Sequence, residues 1–171
     1  MATRAVAFGM AVIAFDPATD ADFDACHGIR RAGLDDLLAA ADVVSLHLPL
    51  TPETRGLFDR LAFARMKPGS ILINTARGGL VVEDDLHAAL VSGHLAGAGL
   101  DVFESEPPRP ANPLLSLPNV VVSPHLAGAD ARAMADMADL AVQCVIDLHS
   151  GRWPEGCVVN EGLREGWEWR I

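Results

Sequence analysis

Ser70-Ile71-Leu72-Ile73-Asn74-Thr75-Ala76-Arg77-Gly78-Gly79-Leu80 reads SILINTARGGL: an apolar run, then an arginine against two glycines. SILIN does not alternate apolar with polar residues. It reads as a strand buried on both faces, the kind that parallel sheets contain. An arginine just past such a strand has two readings. It closes a surface turn, or it grips an anion. The second draws support from its neighbours. A guanidinium fork binds a carboxylate in bidentate fashion and stays charged at any relevant pH, and glycines let a second backbone approach closely.

The same grammar repeats outward. The N-terminus reads as the end of a helix stopped at Gly9, followed by a strand over Met10–Phe15. A polar stretch then runs to Gly33, with a short strand at Ile29–Arg31. Leu34–Ala41 is a helix with apolar residues at 34, 37, 38 and 41, one helical face. Val43–Leu48 is a buried strand closed by Pro49. In TPET, Thr51 and Glu53 offer a helix start signal, and DRLAFARMKPG is a helix that must stop before Pro68-Gly69. EDDLHAALVSG is a helix with acids in its first turn and Gly93 as its stop. HLAGAGLDVF (94–103) and NVVVSP (119–124) are strands separated by a proline-rich loop, ESEPPRPANPLLSLP. A long helix spans Asp130–His149, ended by Gly151, and the tail from Arg152 is irregular. Strands alternating with helices give an α/β fold, a doubly wound parallel sheet.

The 171 residues suffice for one domain with a core, and half of them are apolar. Thirteen basic residues against 23 acidic ones leave a net charge of −10. That argues against a nucleic-acid or anionic-membrane surface, but not against a local cationic pocket. No run reaches the roughly 18 apolar residues needed to cross a bilayer. The apolar N-terminus lacks the usual cleavage region of a signal peptide, and Asp16-Pro17 ends it. Cys26, Cys144 and Cys157 are odd in number and form no C-x-x-C pair, so they read as reduced thiols of a cytoplasmic protein rather than a disulfide or metal site.

An open α/β sheet binds its ligand at the carboxyl ends of its strands. Here those ends carry Asp16, His47 to Pro49, Asn74 to Arg77, Asp101 and Pro124-His125. His125 is a structural histidine or an acid/base, and Glu106 is a solvated loop acid or its partner. A carboxylate against an imidazole fixes the tautomer and suits it to proton transfer near neutral pH. Asp16 either closes an Asp-Pro turn or accepts hydrogen bonds from ribose hydroxyls. Asp101 follows the small residues Ala96 to Gly99, which permit close packing, and can reach a nicotinamide or orient a neighbour.

ADVVSLHLPLTPET, MKPGSILINTARGGLV, SGHLAGAGLDVFESEPP and PNVVVSPHLAG, in this order, resemble the cofactor domain of NAD-dependent D-2-hydroxyacid dehydrogenases, the phosphoglycerate dehydrogenase and glyoxylate/hydroxypyruvate reductase types among them. The resemblance covers roughly residues 1–160 and implies a Rossmann-like fold. It implies that Arg77 holds the substrate carboxylate, that His125 is the acid/base, and that Glu106 is its partner. It implies cofactor contacts from Asp16, Leu48, Thr75, Ala76, Arg77, Asp101, His125 and Gly128, with Asp16 favouring NAD over NADP. It also implies a small 2-oxo or 2-hydroxy carboxylate as substrate, and a homodimer. Neither a metal, a nucleic acid nor a membrane is expected.

The family's G-x-G-x-x-G fingerprint occurs nowhere in the sequence. Counting back about 20 residues from Asp16 places it before Met1. The expectation is therefore a cofactor domain (1–151) lacking its first strand and glycine-rich loop, with a tail (152–171) that would return to an absent substrate domain. Trp153, Trp167 and Trp169 are then expected to lie uncovered. Two functions stay open: a dehydrogenase, or a fragment of one, impaired in isolation; or a non-catalytic remnant serving as a dimerisation or co-repressor-like binding module.

Overall fold

The computed structural model describes residues 1–18 and 20–168. It divides into two units, Met1–His125 and Leu126–Ile171.

The first unit opens with helix α1 (Ala2–Ala7). Strand β1 (Ile13–Ala14) pairs in parallel with β2 (Arg30–Arg31), and helix α2 (Ala21–His27) connects them. The remaining strands, β3 (Val43–Leu46), β4 (Ile71–Asn74), β5 (Gly97–Leu100) and β6 (Val120–Val122), form a four-stranded parallel sheet in that order. Helix α3 (Leu34–Ala40) leads into β3, and helices α4 (Arg60–Arg65) and α5 (Glu83–Val91) occupy the crossovers from β3 to β4 and from β4 to β5. The result is a Rossmann-like arrangement.

Burial explains the layering. Val44, Leu46, Leu72, Ala98 and Leu100 point to one face of the sheet and are buried with Leu38 of α3, Phe63 of α4 and Leu86 and Leu90 of α5. Leu86 and Leu90 are four residues apart, so one helical stripe meets the sheet. Val43, Ile71 and Val121 share the opposite face by register and stay 39, 37 and 76% exposed. The expected burial of both faces therefore holds on the helical side only, and there for β3–β5, since Val122 of β6 on that face is 45% exposed. Close contact between strands comes from small residues, as expected for 96–99. A Cβ at Gly97 would lie 2.9 Å from Asn119 O, and one at Gly99 2.9 Å from Ile73 Cδ1.

Several boundaries differ from expectation. The strand expected over 10–15 pairs only at Ile13–Ala14, because β2 offers two residues. The strands expected over 43–48, 94–103 and 119–124 are likewise shorter. TPET starts no helix. Thr54 Oγ1 bonds to Pro49 O (2.8 Å) and accepts from Thr51 N (2.8 Å), which closes a turn instead. The cap of α4 is Asp59, whose Oδ1 accepts from Leu61 N and Ala62 N at 2.9 Å. Helix α2, unforeseen, is capped by Asp20, which accepts from Phe23 N, and is stopped by Gly28 at φ 63°.

The second unit is helix α6 (Ala131–His149), capped by Asp130, followed by the tail. Trp153 and Trp167 are not left uncovered: both are half-buried and meet edge to face at 5.9 Å. Trp169 lies outside the described residues. No helix among the described residues is long and apolar enough to cross a membrane.

Candidate active site

The carboxyl ends of β4, β5 and β6 converge through backbone hydrogen bonds. Asp101 N donates to Asn74 O (2.9 Å), Ser123 N to Leu100 O (3.0 Å) and His125 N to Asp101 O (2.9 Å). His125 therefore hangs directly from the end of β5. Its φ of 57° is the left-handed region, which few side chains adopt and histidine more readily than most.

Glu106 meets it. His125 Nδ1 lies 2.7 Å from Glu106 Oε2, while Glu106 Oε1 accepts from Phe103 N at 3.1 Å. Foremost the His125 hydrogen bond, then the Phe103 amide, and more weakly the positive charge of Arg77, hold the Glu106 carboxyl below the usual range. An ionised carboxylate only accepts, so Nδ1 carries the proton of the neutral ring. Nε2 is left to exchange a proton with another molecule. Both side chains keep solvent access, at 49% for His125 and 37% for Glu106.

Arg77 comes to the same edge by steric design. Gly78 sits so close to the next loop that a Cβ there would lie 1.9 Å from Phe103 C and 2.4 Å from Glu104 N. Only glycine allows the loop bearing Arg77 to lie on the loop bearing Glu106. The loop is held from outside by Gly56 N to Gly79 O and Phe58 N to Leu80 O. Arg77 is exposed, and its Nη1 donates to Ala76 O (2.6 Å), leaving further donors of the fork for an anion.

Asn74 was read only as a polar strand end, with no role of its own, and Ser123 escaped the sequence reading altogether. Asn74 is buried at the end of β4. Its Oδ1 accepts from Ala76 N (3.0 Å) and its Nδ2 donates to Arg77 O (2.9 Å), so one side chain fixes the Thr75–Arg77 turn. Ser123 Oγ donates to Asp101 Oδ1 at 2.5 Å and fixes that buried carboxylate. An asparagine at a strand end before a turn was the available signal for the first. The second joins residues 22 apart, and no local pattern shows it.

Asp16 lies two residues beyond β1, exposed, with Oδ1 accepting from Ala18 N (2.9 Å). The nearby Arg31 is engaged elsewhere: Nε and Nη2 both reach Asp24, at 2.5 and 3.1 Å. Asp24, with Asp16 and Asp20 adding charge, holds the guanidinium above its usual range. Leu48, Thr75 and Ala76 are half-buried at the same carboxyl edge, where Leu48 and Ala76 pack on the core. Gly128 belongs to the second unit, in a turn closed by Ala129 N to Leu126 O (3.0 Å). A cleft of about 390 Å³ lies against the dyad, lined by Asp101, Phe103, Glu106, Pro107, Val122 and His125 among others.

Residues 1–127 match the family described as "D-isomer specific 2-hydroxyacid dehydrogenase, NAD binding domain". The chain belongs to this family. Among curated relatives, D-3-phosphoglycerate dehydrogenase of Mycobacterium tuberculosis is 51% identical over 133 residues, 78% of this chain and 25% of that protein. Glyoxylate reductase of Korarchaeum cryptofilum is 42% identical over 164 residues, 96% of this chain and 49% of that one. Among solved structures, the NAD-complexed D-isomer specific 2-hydroxyacid dehydrogenase of Lactobacillus delbrueckii ssp. bulgaricus superposes with a TM-score of 0.84 at 32% identity, over 92% of this chain and 51% of that one. The chain thus spans between a quarter and about half of these relatives. The family's cofactor is NAD. The residues present fit its ribose and nicotinamide ends: an exposed carboxylate past β1, and a cleft at the joined ends of β4–β6.

Proposed function

We propose that this chain is the cofactor-side part of an oxidoreductase that transfers a hydride between NAD(H) and a D-2-hydroxy or 2-oxo acid. The observation carrying the proposal is the Glu106–His125 pair at 2.7 Å, set on the same edge as Arg77 by the Gly78 contact. NAD, when bound, supplies the two-electron donor or acceptor. Asp16 would accept from the adenine ribose hydroxyls, with Leu48, Thr75, Ala76 and Asp101 as further contacts. Because Asp24 holds Arg31, that cation is not offered to a 2′-phosphate, in keeping with NAD over NADP.

Arg77 would hold the substrate carboxylate and bring its C2 oxygen toward Nε2 of His125. In reduction the imidazolium gives its proton to the forming alkoxide. In oxidation the neutral ring removes it. Glu106 steadies the ring in either state and stays ionised. Relatives named glyoxylate reductase and hydroxypyruvate reductase suggest small 2-oxo acids as first substrates. The polypeptide spans only part of such enzymes, and we expect weak NAD affinity and slow turnover from it alone.

A second reading, a dimerisation or binding module, has one observation in its favour. Met134, Met137, Leu140 and Val145 of α6 are all more than half exposed. Both readings allow a homodimer.

The test is NADH titration, followed by absorbance at 340 nm with glyoxylate and hydroxypyruvate, for wild type, Arg77→Gln and His125→Asn. The expected result is NADH binding in wild type, weakened in both variants by loss of one cofactor contact, and oxidation in wild type only. No NADH binding at millimolar concentration would overturn the oxidoreductase reading. Binding without oxidation in any form would favour the module.

A further inference from the structure

The acids that open α5 do more than complement its dipole. Asp85 Oδ2 accepts from Arg60 N (2.9 Å) at the start of α4. Glu83, half-buried, reaches the proline-rich loop instead. Its Oε1 accepts from Glu104 N (2.7 Å) and its Oε2 from Asn112 Nδ2 (2.6 Å), so one carboxylate holds both ends of the loop 104–112. Asn112 is itself fixed, because its Oδ1 accepts from Leu114 N (3.0 Å). Packing does little for this loop. Phe103 and Leu114 on either side are buried, but residues 104–107 and 109–111 are exposed. Pro107, Pro108 and Pro110 have no amide to donate. Glu106 lies inside this loop.

We infer that Glu83 is a positioning residue for the reaction: by clamping loop 104–112 at both ends, it keeps Glu106 against His125. The inference rests on the reading of His125 as the acid/base. Glu106 lies two residues past the first clamp, and Phe103, whose amide it accepts from, lies one residue before it. Movement at Glu104 therefore reaches both ends of the Glu106 side chain. A carboxylate only accepts, and both groups that Glu83 meets are donors, in hydrogen bonds that its charge strengthens. Freed at both ends, the loop would let the Glu106 carboxylate leave Nδ1, and the ring would no longer be held as one tautomer. One short segment then serves the site three times. Arg77 offers its fork to an anion, Gly78 admits the Phe103 backbone, and Glu83 grips the loop beyond it.

The test swaps the polarity of the clamp in the whole chain. Glu83→Gln keeps the shape but sets an NH2 group against Asn112 Nδ2, donor against donor. Turning either amide moves the conflict to Glu104 N or Leu114 N, which are donors too. Asn112→Asp sets two carboxylates together. The double variant, Glu83→Gln with Asn112→Asp, restores a donor facing an acceptor, and the new carboxylate still caps Leu114 N. Nitrogen NMR of the His125 ring at alkaline pH reports the tautomer. In wild type Nδ1 should carry the proton. Each single variant should shift both ring nitrogens toward a mixture of tautomers, and the double variant should return them. Asp84→Asn, an exposed change in the same turn, should leave them unmoved. Wild-type ring signals in either single variant, no recovery in the double variant, or an equal shift in Asp84→Asn would each overturn the assignment. With NADH and glyoxylate, the single variants should lower kcat by up to about 100-fold, as small misplacements do, with KM little changed. A wild type that oxidises no NADH would sink the hydride-transfer reading, while the ring signals still decide whether Glu83 holds the pair.

Discussion

Gly78→Ala tests the steric contact that sets Arg77 beside the Glu106–His125 pair. The added methyl carbon would lie 1.9 Å from Phe103 C, 2.0 Å from Phe103 O and 2.4 Å from Glu104 N. Carbon contacts settle at about 3.5–4.0 Å, so the two loops must part by roughly 1.5 Å. The obstructing atoms are backbone, and no rotamer change relieves them. Overpacking typically costs about 1–3 kcal/mol, and a rigid obstruction belongs at the upper end. For a chain of this size about 3 kcal/mol lowers the melting temperature by roughly 6–12 °C. Parting the loops also pulls on the Phe103 amide that Glu106 accepts from. Gly79→Ala is the control, since its methyl would press on side-chain ends only, Leu50 Cδ2 at 2.9 Å and Arg55 Nη1 at 3.1 Å. Thermal melts by circular dichroism give the stability, and NMR of the His125 ring reports the pair. Gly78→Ala melting within about 1 °C of wild type, with the ring signals unmoved, would refute the close-approach argument.

Asn74→Ala should cost about 1–3 kcal/mol, because it strands the Ala76 amide, while the Arg77 carbonyl keeps the Leu80 amide as a donor; chemical denaturation measures it, and a loss under about 0.5 kcal/mol would count against the turn's dependence on this side chain. The Glu106 carboxyl lies below its ordinary value because of His125, so its stabilising contribution is complete above the ordinary pKa of 4.5 and fades as pH falls through the lowered one. Stability of wild type minus Glu106→Gln, measured against pH, should therefore be flat near neutrality and shrink in acid; a difference unchanged in strong acid would contradict the pairing. Asp59→Ala should cost about 1 kcal/mol by removing the cap of α4, and a melt that does not shift would move the helix start elsewhere.

The strand ends were legible because parallel strands announce themselves as short apolar runs, and an open parallel sheet binds its ligand just beyond them, where the candidate residues lie. Arg77, Asp101 and His125 each follow such a run. Glu106 was legible only with the family's help, since nothing in ESEPP says that the loop turns back to His125. Helix α2 was hidden for the opposite reason. ADFDACH has no clear apolar stripe, and its evidence is at its ends, in Asp20 and Gly28. TPET misled because Thr51 and Thr54 satisfy each other in a turn, with the same side-chain chemistry that caps a helix. Asn74 and Ser123 act across strands, and their partners become neighbours only once the sheet has formed.

The left-handed backbone at His125 also bears on how this position can be substituted. An alanine there removes the imidazole and at the same time forces a Cβ-bearing residue with no affinity for that conformation to hold it. Any lost activity would then mix chemistry with conformation. Asparagine tolerates the same backbone far better. It is therefore the cleaner deletion of the ring, and the gap between the asparagine and alanine variants measures what the backbone conformation alone demands.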